Sequence, residues 1–190
     1  NILALQDLGE SSAYRTQFNY TTTASGMYPD NKINKLYGLV NSESVRNFTT
    51  INSYLNSLVS SGYPLVSGTD YEKVENARKL SPSEFTYNSK LGFISLNSTV
   101  NPDQVLAVAF QYTLIGDTAV YQVGEFANEG VSGAQTLIVK LLKSTAQNTR
   151  IPLWDLMMKN VYSLGAYQVN KEDFRLNVLY RDDERGIPVG

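Results

Sequence analysis

Apolar and polar positions alternate over residues 14–20, where Arg15, Gln17 and Asn19 separate Tyr14, Thr16, Phe18 and Tyr20. A period of two predicts a half-buried strand there. It follows a loop over residues 7–12 and leads into a polar connection over 21–34 that holds Gly26, Pro29, Asp30 and Asn31. Between residues 49 and 59 the spacing changes. Ile51, Tyr54, Leu55, Leu58 and Val59 recur at three and four, which is one face of a short helix ended by Ser60, Ser61, Gly62 and Pro64. Residues 66–80 offer only the thin stripe Val74, Ala77 and Leu80, and extended chain is the preferred reading.

The middle of the chain reads as strands. Phe85 and Tyr87 face residues 91–96 across the turn formers Asn88, Ser89 and Lys90, a predicted hairpin, and Asn101-Pro102-Asp103 makes the next turn. Residues 105–113 are apolar on both faces, which predicts a central strand covered on both sides. Gly116-Asp117 turns it into an antiparallel neighbour over 119–126, and residues 124–135, with Gly124, Gly130 and Gly133, form a hinge or surface loop. A buried strand over 137–142 and a polar linker over 143–150 come next.

Pro152 then opens a predicted helix. Asp155 lies near its positive end, Leu153, Leu156, Met157, Val161 and Leu164 share one face, and Gly165 stops it. Phe174, Leu176, Val178 and Tyr180 alternate with Arg175, Asn177, Leu179 and Arg181 as a final half-exposed strand, and 181–190 reads as a junction. The predicted fold class is mainly β or α+β: an antiparallel sheet or sandwich with about two short flanking helices. Its parts are 1–69 (a strand plus a short helix), 70–135 (antiparallel and β-rich) and 136–190 (strand, helix, strand and junction), expected to form one compact domain.

Composition narrows the chemistry. At 190 residues the chain can bury a core without staples. It has no Cys and no His, which removes thiol and Ser-His-Asp nucleophiles, imidazole bases and the usual zinc sites. A net charge of −2 without dense Lys/Arg makes nucleic acid an unexpected partner. No apolar run approaches the roughly 18 residues of a spanning helix. Asn1 follows no initiator Met or signal-like stretch, which reads as an excised piece. Abundant Asn, Ser and Thr with 13 Tyr suit an exported β-domain, and Asn-x-Ser/Thr sequons stand at Asn19, Asn47 and Asn97.

Few residues invite a chemical role. Paired carboxylates could hydrolyse a glycoside, yet Asp182-Asp183-Glu184 is flanked by Arg181 and Arg185 and reads as a self-neutralising loop. Gly68, Thr69, Asp70 and Glu72 supply oxygens without the spacing of a calcium loop. Gly124, Gly130 and Gly133 lack the Lys-Ser/Thr pair of a phosphate cradle. The aromatics could build a binding surface. Packing accounts for Phe110, Tyr112, Tyr180 and Trp154, which leaves loop residues such as Tyr28 and Tyr63. No catalytic, cofactor-binding or metal-ligating residue is expected, and the chain reads as no enzyme.

Seven segments carry a more specific signal. They are Ala77-Arg78-Lys79-Leu80-Ser81-Pro82-Ser83-Glu84-Phe85, residues 91–97 (Leu-Gly-Phe-Ile-Ser-Leu-Asn), 105–113 (Val-Leu-Ala-Val-Ala-Phe-Gln-Tyr-Thr) and Tyr121-Gln122-Val123-Gly124-Glu125-Phe126. Leu141-Leu142-Lys143-Ser144, residues 154–164 (Trp-Asp-Leu-Met-Met-Lys-Asn-Val-Tyr-Ser-Leu) and 173–180 (Asp-Phe-Arg-Leu-Asn-Val-Leu-Tyr) complete the set. In order and spacing they resemble the SprA/Sov family, the very large outer-membrane translocon proteins of the Bacteroidetes type IX secretion system. Residues 1–69 are less diagnostic.

The resemblance implies a giant β-barrel that exports folded cargo and, in gliding species, motility adhesins. This chain is far too short to be that pore. It is expected to be a non-enzymatic soluble module of the translocon, on the periplasmic or cell-surface side of the outer membrane. Its expected partners are the remainder of the translocon polypeptide, other type IX secretion subunits or secreted cargo. The alternative is a carbohydrate-binding or adhesin-like cell-surface β-domain.

Overall fold

The computed structural model describes residues 1–20, 28–127, 135–158, 168–170, 172–177, 180–181 and 188–189. The chain divides into two units, Asn1–Met157 and Met158–Gly190. The fold is α+β. The first unit is built on a four-stranded sheet of β1 (Ile2–Leu5), β2 (Tyr71–Val74), β5 (Leu106–Val108) and β8 (Leu137–Lys143), in the order β2-β1-β8-β5. The outer pairs are antiparallel, whereas β1 and β8 run parallel with Leu3 opposite Ile138 and Leu5 opposite Lys140.

Both central strands are covered on two faces, which is why Ile2-Leu3-Ala4-Leu5 carries no polar residue. Leu3, Leu5 and Ile138 pack under three helices, α1 (Leu36–Val40), α2 (Glu43–Arg46) and α3 (Ile51–Ser60). Ala4, Val139 and Leu141 point the other way, against Ile151 and Leu153. The helix expected over residues 49–59 is α3; it buries Ile51, Leu55 and Leu58, while Val59 at its rim is half exposed.

Two hairpins stand apart from this sheet. β3 (Phe85–Asn88) pairs with β4 (Phe93–Leu96), and β6 (Phe110–Thr113) pairs with β7 (Val120–Val123). Their turns follow the residues that predicted them. The Asn88 carboxamide oxygen accepts the Lys90 and Leu91 amides, and Asp117 accepts the Ala119 amide beside Gly116 at φ +87°. In the second unit β9 (Tyr180–Arg181) pairs with β10 (Pro188–Val189).

Four expectations are corrected. Residues 14–20 form no strand but hold a 3-10 turn over Thr16–Phe18. Side chains take the ladder's place, since Asp7 accepts the Tyr14 and Arg15 amides and Asn19 accepts that of Ala13. Residues 105–113 do not form one doubly covered strand. The chain leaves the sheet at Ala109, because Gly124 packs where its own added Cβ would lie 3.0 Å from the Ala109 Cβ. The next residue, Glu125, then donates its amide to the Ile138 carbonyl at 2.9 Å, filling the place beside β8.

Over the described part of the predicted helix at 152–164, Pro152–Leu156 is a 3-10 turn that buries Leu153 but leaves Leu156 exposed. Residues 159–167 lie outside the described residues. Phe174 and Leu176 are exposed and outside any strand, because only Tyr180–Arg181 has a pairing partner among the described residues. Residues 178 and 179 are not described.

Candidate functional site

Most buried polar residues of the first unit are structural. Beyond β1 the chain turns through Asp7, whose two carboxylate oxygens accept the Tyr14 and Arg15 amides at 2.8 and 2.9 Å. Burial pushes this carboxyl above its usual 3.8, against those two amides and the nearby Lys140 charge. The Arg15 guanidinium grips Asp70 in a fork, both bonds 2.8 Å, and Asp70 also accepts the Val66 amide. Lys140, buried in the middle of β8, donates to the Gln6 carbonyl and to Glu10. Asn34 ties the same loop by donating to the Asp7 and Glu10 carbonyls.

A second node ties the helices to the sheet. Arg46 donates to both oxygens of Glu125 at 2.6 and 2.7 Å, and Tyr37 and the Ile138 amide also donate to that carboxylate. Burial alone would raise the Glu125 pKa, but the Arg46, Ile138 and Tyr37 donors outweigh it and hold it below 4.5. The Tyr37 hydroxyl is pushed up to about 12, first by burial and then by donating to Glu125. A third set centres on Glu72, whose carboxylate accepts the Ser144 and Thr145 hydroxyls and the Thr145 amide. None of these three sets presents an open reacting position.

One exposed apolar feature is the far side of β5 and β6; the β3–β4 hairpin also exposes Tyr87, Leu91 and Ile94. β5 is the terminal strand of the main sheet and β6 one side of a hairpin. From Gln104 to Gly116 no residue is charged. Leu106, Val108 and Tyr112 are only half buried, Phe110 is 37% exposed, and Ile115 at the hairpin tip is fully exposed. The rings form a ladder. Phe110 stacks on Tyr112 at 6.1 Å between centroids, Tyr112 on its cross-strand partner Tyr121 at 5.3 Å, and Tyr28 tilts against Tyr121 at 5.8 Å. Their outer hydroxyls are engaged: Tyr112 donates to the Pro29 carbonyl and Tyr121 to Asp117.

No family model and no curated protein matches this chain.

The residues singled out in the sequence are dispersed. Tyr28 joins the ladder, whereas Tyr63 stacks on the buried Phe18 at 6.1 Å and is part of the core. Phe110 and Tyr112, assigned to packing, line the exposed face instead. Asp70 and Glu72 are used internally, and no three His, Cys, Asp or Glu side chains converge to hold a metal among the described residues. Asp182, Asp183 and Glu184 lie outside the described residues, as do Gly130 and Gly133. Asn47 and Asn97 are exposed, and Asn19 is half buried with its carboxamide holding the Ala13 amide. Among the described residues no helix is long and apolar enough to cross a membrane. The edge that no described residue covers was missed because an apolar run reads alike whether the protein itself or a partner covers it.

Proposed function

We propose that the chain is a non-enzymatic module of a type IX secretion outer-membrane translocon, supporting protein export and, in gliding species, motility. It sits on the periplasmic or cell-surface side of the outer membrane and contacts the remainder of the translocon polypeptide, another secretion subunit or secreted cargo. The reading rests on the resemblance of seven ordered segments to the SprA/Sov family. One structural observation supports a contact role: the uncharged segment 105–113, one of those segments, lies at an edge of the first unit that no described element covers. Buried carboxylates that are satisfied internally fit a scaffold better than a catalyst.

The test is an in-frame deletion of residues 1–190 in the full-length parent, scored for outer-membrane assembly and for cargo release. Loss of release with normal assembly assigns gating or recruitment, and loss of assembly assigns a structural part of the conduit. A parent that assembles and secretes normally without the segment overturns the proposal.

The stack of the exposed Tyr28 with the half-buried Tyr112 and Tyr121 favours one second reading, a carbohydrate-binding or adhesin-like surface domain. Sugars stack on such rings but also need free polar groups beside them. Here Asp30 accepts the Lys32 and Gln122 amides and Asn31 bonds to Gly124, so the rim is committed inward. A glycan array whose hits disappear with Tyr121→Ala would favour the sugar reading; an array without hits removes it.

A further inference from the structure

We infer that the outer edge of β6 takes up an extended, uncharged polypeptide strand from a separate protein, adding it to the β6–β7 hairpin by main-chain pairing. This rests on the reading of the chain as a protein-contacting module and specifies how the contact is made.

The direction of the main-chain groups follows from β7. Gln122 accepts the Asn31 amide at 2.7 Å with its carbonyl and donates its own amide to Asp30 at 3.2 Å, both on the side away from β6. Its partner across the ladder is Gln111, and in an antiparallel pair two residues opposite one another turn their main-chain groups the same way, inward or outward together. Gln111 therefore points its N–H and C=O out of the hairpin, and Thr113, two residues on, does the same. Both are exposed, and no other described residue pairs with these groups. Residues 30 and 31 seal the β7 edge, but nothing described seals that of β6.

The side chains define the strand that fits. On one face Phe110 and Tyr112 form an apolar stripe, while the Gln111 and Thr113 side chains are polar and exposed. The added strand must alternate in the same way, apolar against the stripe and polar opposite. It must also be neutral, since no charge lies between Gln104 and Gly116 to pair with one of its own. The β2 edge of the main sheet shows the contrast, because β2 carries Lys73 and is followed by the exposed Glu75. Charges of that kind blunt an edge against pairing, and the β6 edge has none. A phosphate backbone is disfavoured by the same lack of cations.

The probe is a fluorescently labelled peptide, Ser-Val-Thr-Val-Thr-Val-Ser, with a Gly-Lys tail for solubility outside the pairing segment, added to the whole chain. Saturable binding is expected, with slowed hydrogen exchange at the Gln111 and Thr113 amides. Thr113→Lys, an exposed change that leaves the hairpin intact, is expected to weaken binding about tenfold, as is Gln111→Pro, which deletes one edge donor. The same peptide N-methylated at every internal amide keeps its side chains but offers no edge that can complete the ladder, and it should not bind to the unaltered chain.

Absence of binding, equal binding of the methylated peptide, or protection mapped to β3 and β4 overturns the inference. So does a chain that dimerises through this edge, because a second copy is then the occupant. These outcomes are separable from the deletion experiment: a parent that fails to secrete without residues 1–190, alongside a β6 edge that binds no strand, leaves the module reading intact and removes this one.

Discussion

Gln6 directly follows β1, 3% exposed, and neither its carboxamide oxygen nor its nitrogen has a hydrogen-bond partner among the described residues. Its neighbours are spoken for: Lys140 takes the Gln6 carbonyl and Glu10, and Asp7 is filled by two amides. A buried amide without partners costs about 1–3 kcal/mol, and Met has nearly the same shape without that cost. Gln6→Met is therefore expected to stabilise the chain by about 1–2 kcal/mol in urea unfolding. The single residue is also where sequence reading was weakest. Arg15 and Asn19 occupied the polar positions of an alternating pattern, but their role is to grip Asp70 and the Ala13 amide. Period alone carries no sign of a carboxylate 55 residues away.

At the scale of elements, pairing partners decide what a pattern becomes. α3 and the β3–β4 hairpin were legible because their information is local: spacing of three and four, and an Asn88 that closes its own turn. The α2-to-sheet tie was not, since Arg46 and Glu125 lie 79 residues apart. That tie sets a pH dependence. Glu125 has a folded pKa below its unfolded 4.5, so its stabilisation is complete above the unfolded value and is lost as pH falls through the folded one. Asp7 is raised and works in the opposite sense, its stabilisation present below 3.8 and lost as pH rises through its folded value. Glu125→Gln is expected to cost about 2–3 kcal/mol at about pH 6, a difference that narrows towards about pH 3 in urea unfolding at the two values.

For the molecule as a whole, the defining contact joins the two ends of the first unit. β1 and β8 pair in parallel across more than 130 residues, and the fully buried Leu3, Leu5, Ile138 and Leu141 lie on these two strands. No loop-closing short cut exists, so refolding of the chain is expected in the range of milliseconds to seconds by stopped-flow fluorescence, not microseconds. Ile138→Ala, which opens a cavity at this seam, should cost about 2–5 kcal/mol.

The sequence by itself determined a mainly β or α+β class, a short helix over 49–59, both hairpins with their turns, a buried strand over 137–142 and the lack of imidazole and thiol chemistry. Each depends on side-chain type or on neighbours within a few residues. Only the tertiary structure decided that residues 14–20 are a bonded loop, that β1 and β8 run side by side, and that residues 106–113 divide at Ala109 with one edge unpaired among the described residues. The physical reason is common to all three. Whether an apolar or hydrogen-bonding position is satisfied depends on what lies across from it, and here Asp7, Ile138 and Gly124 are set opposite their partners by the fold alone.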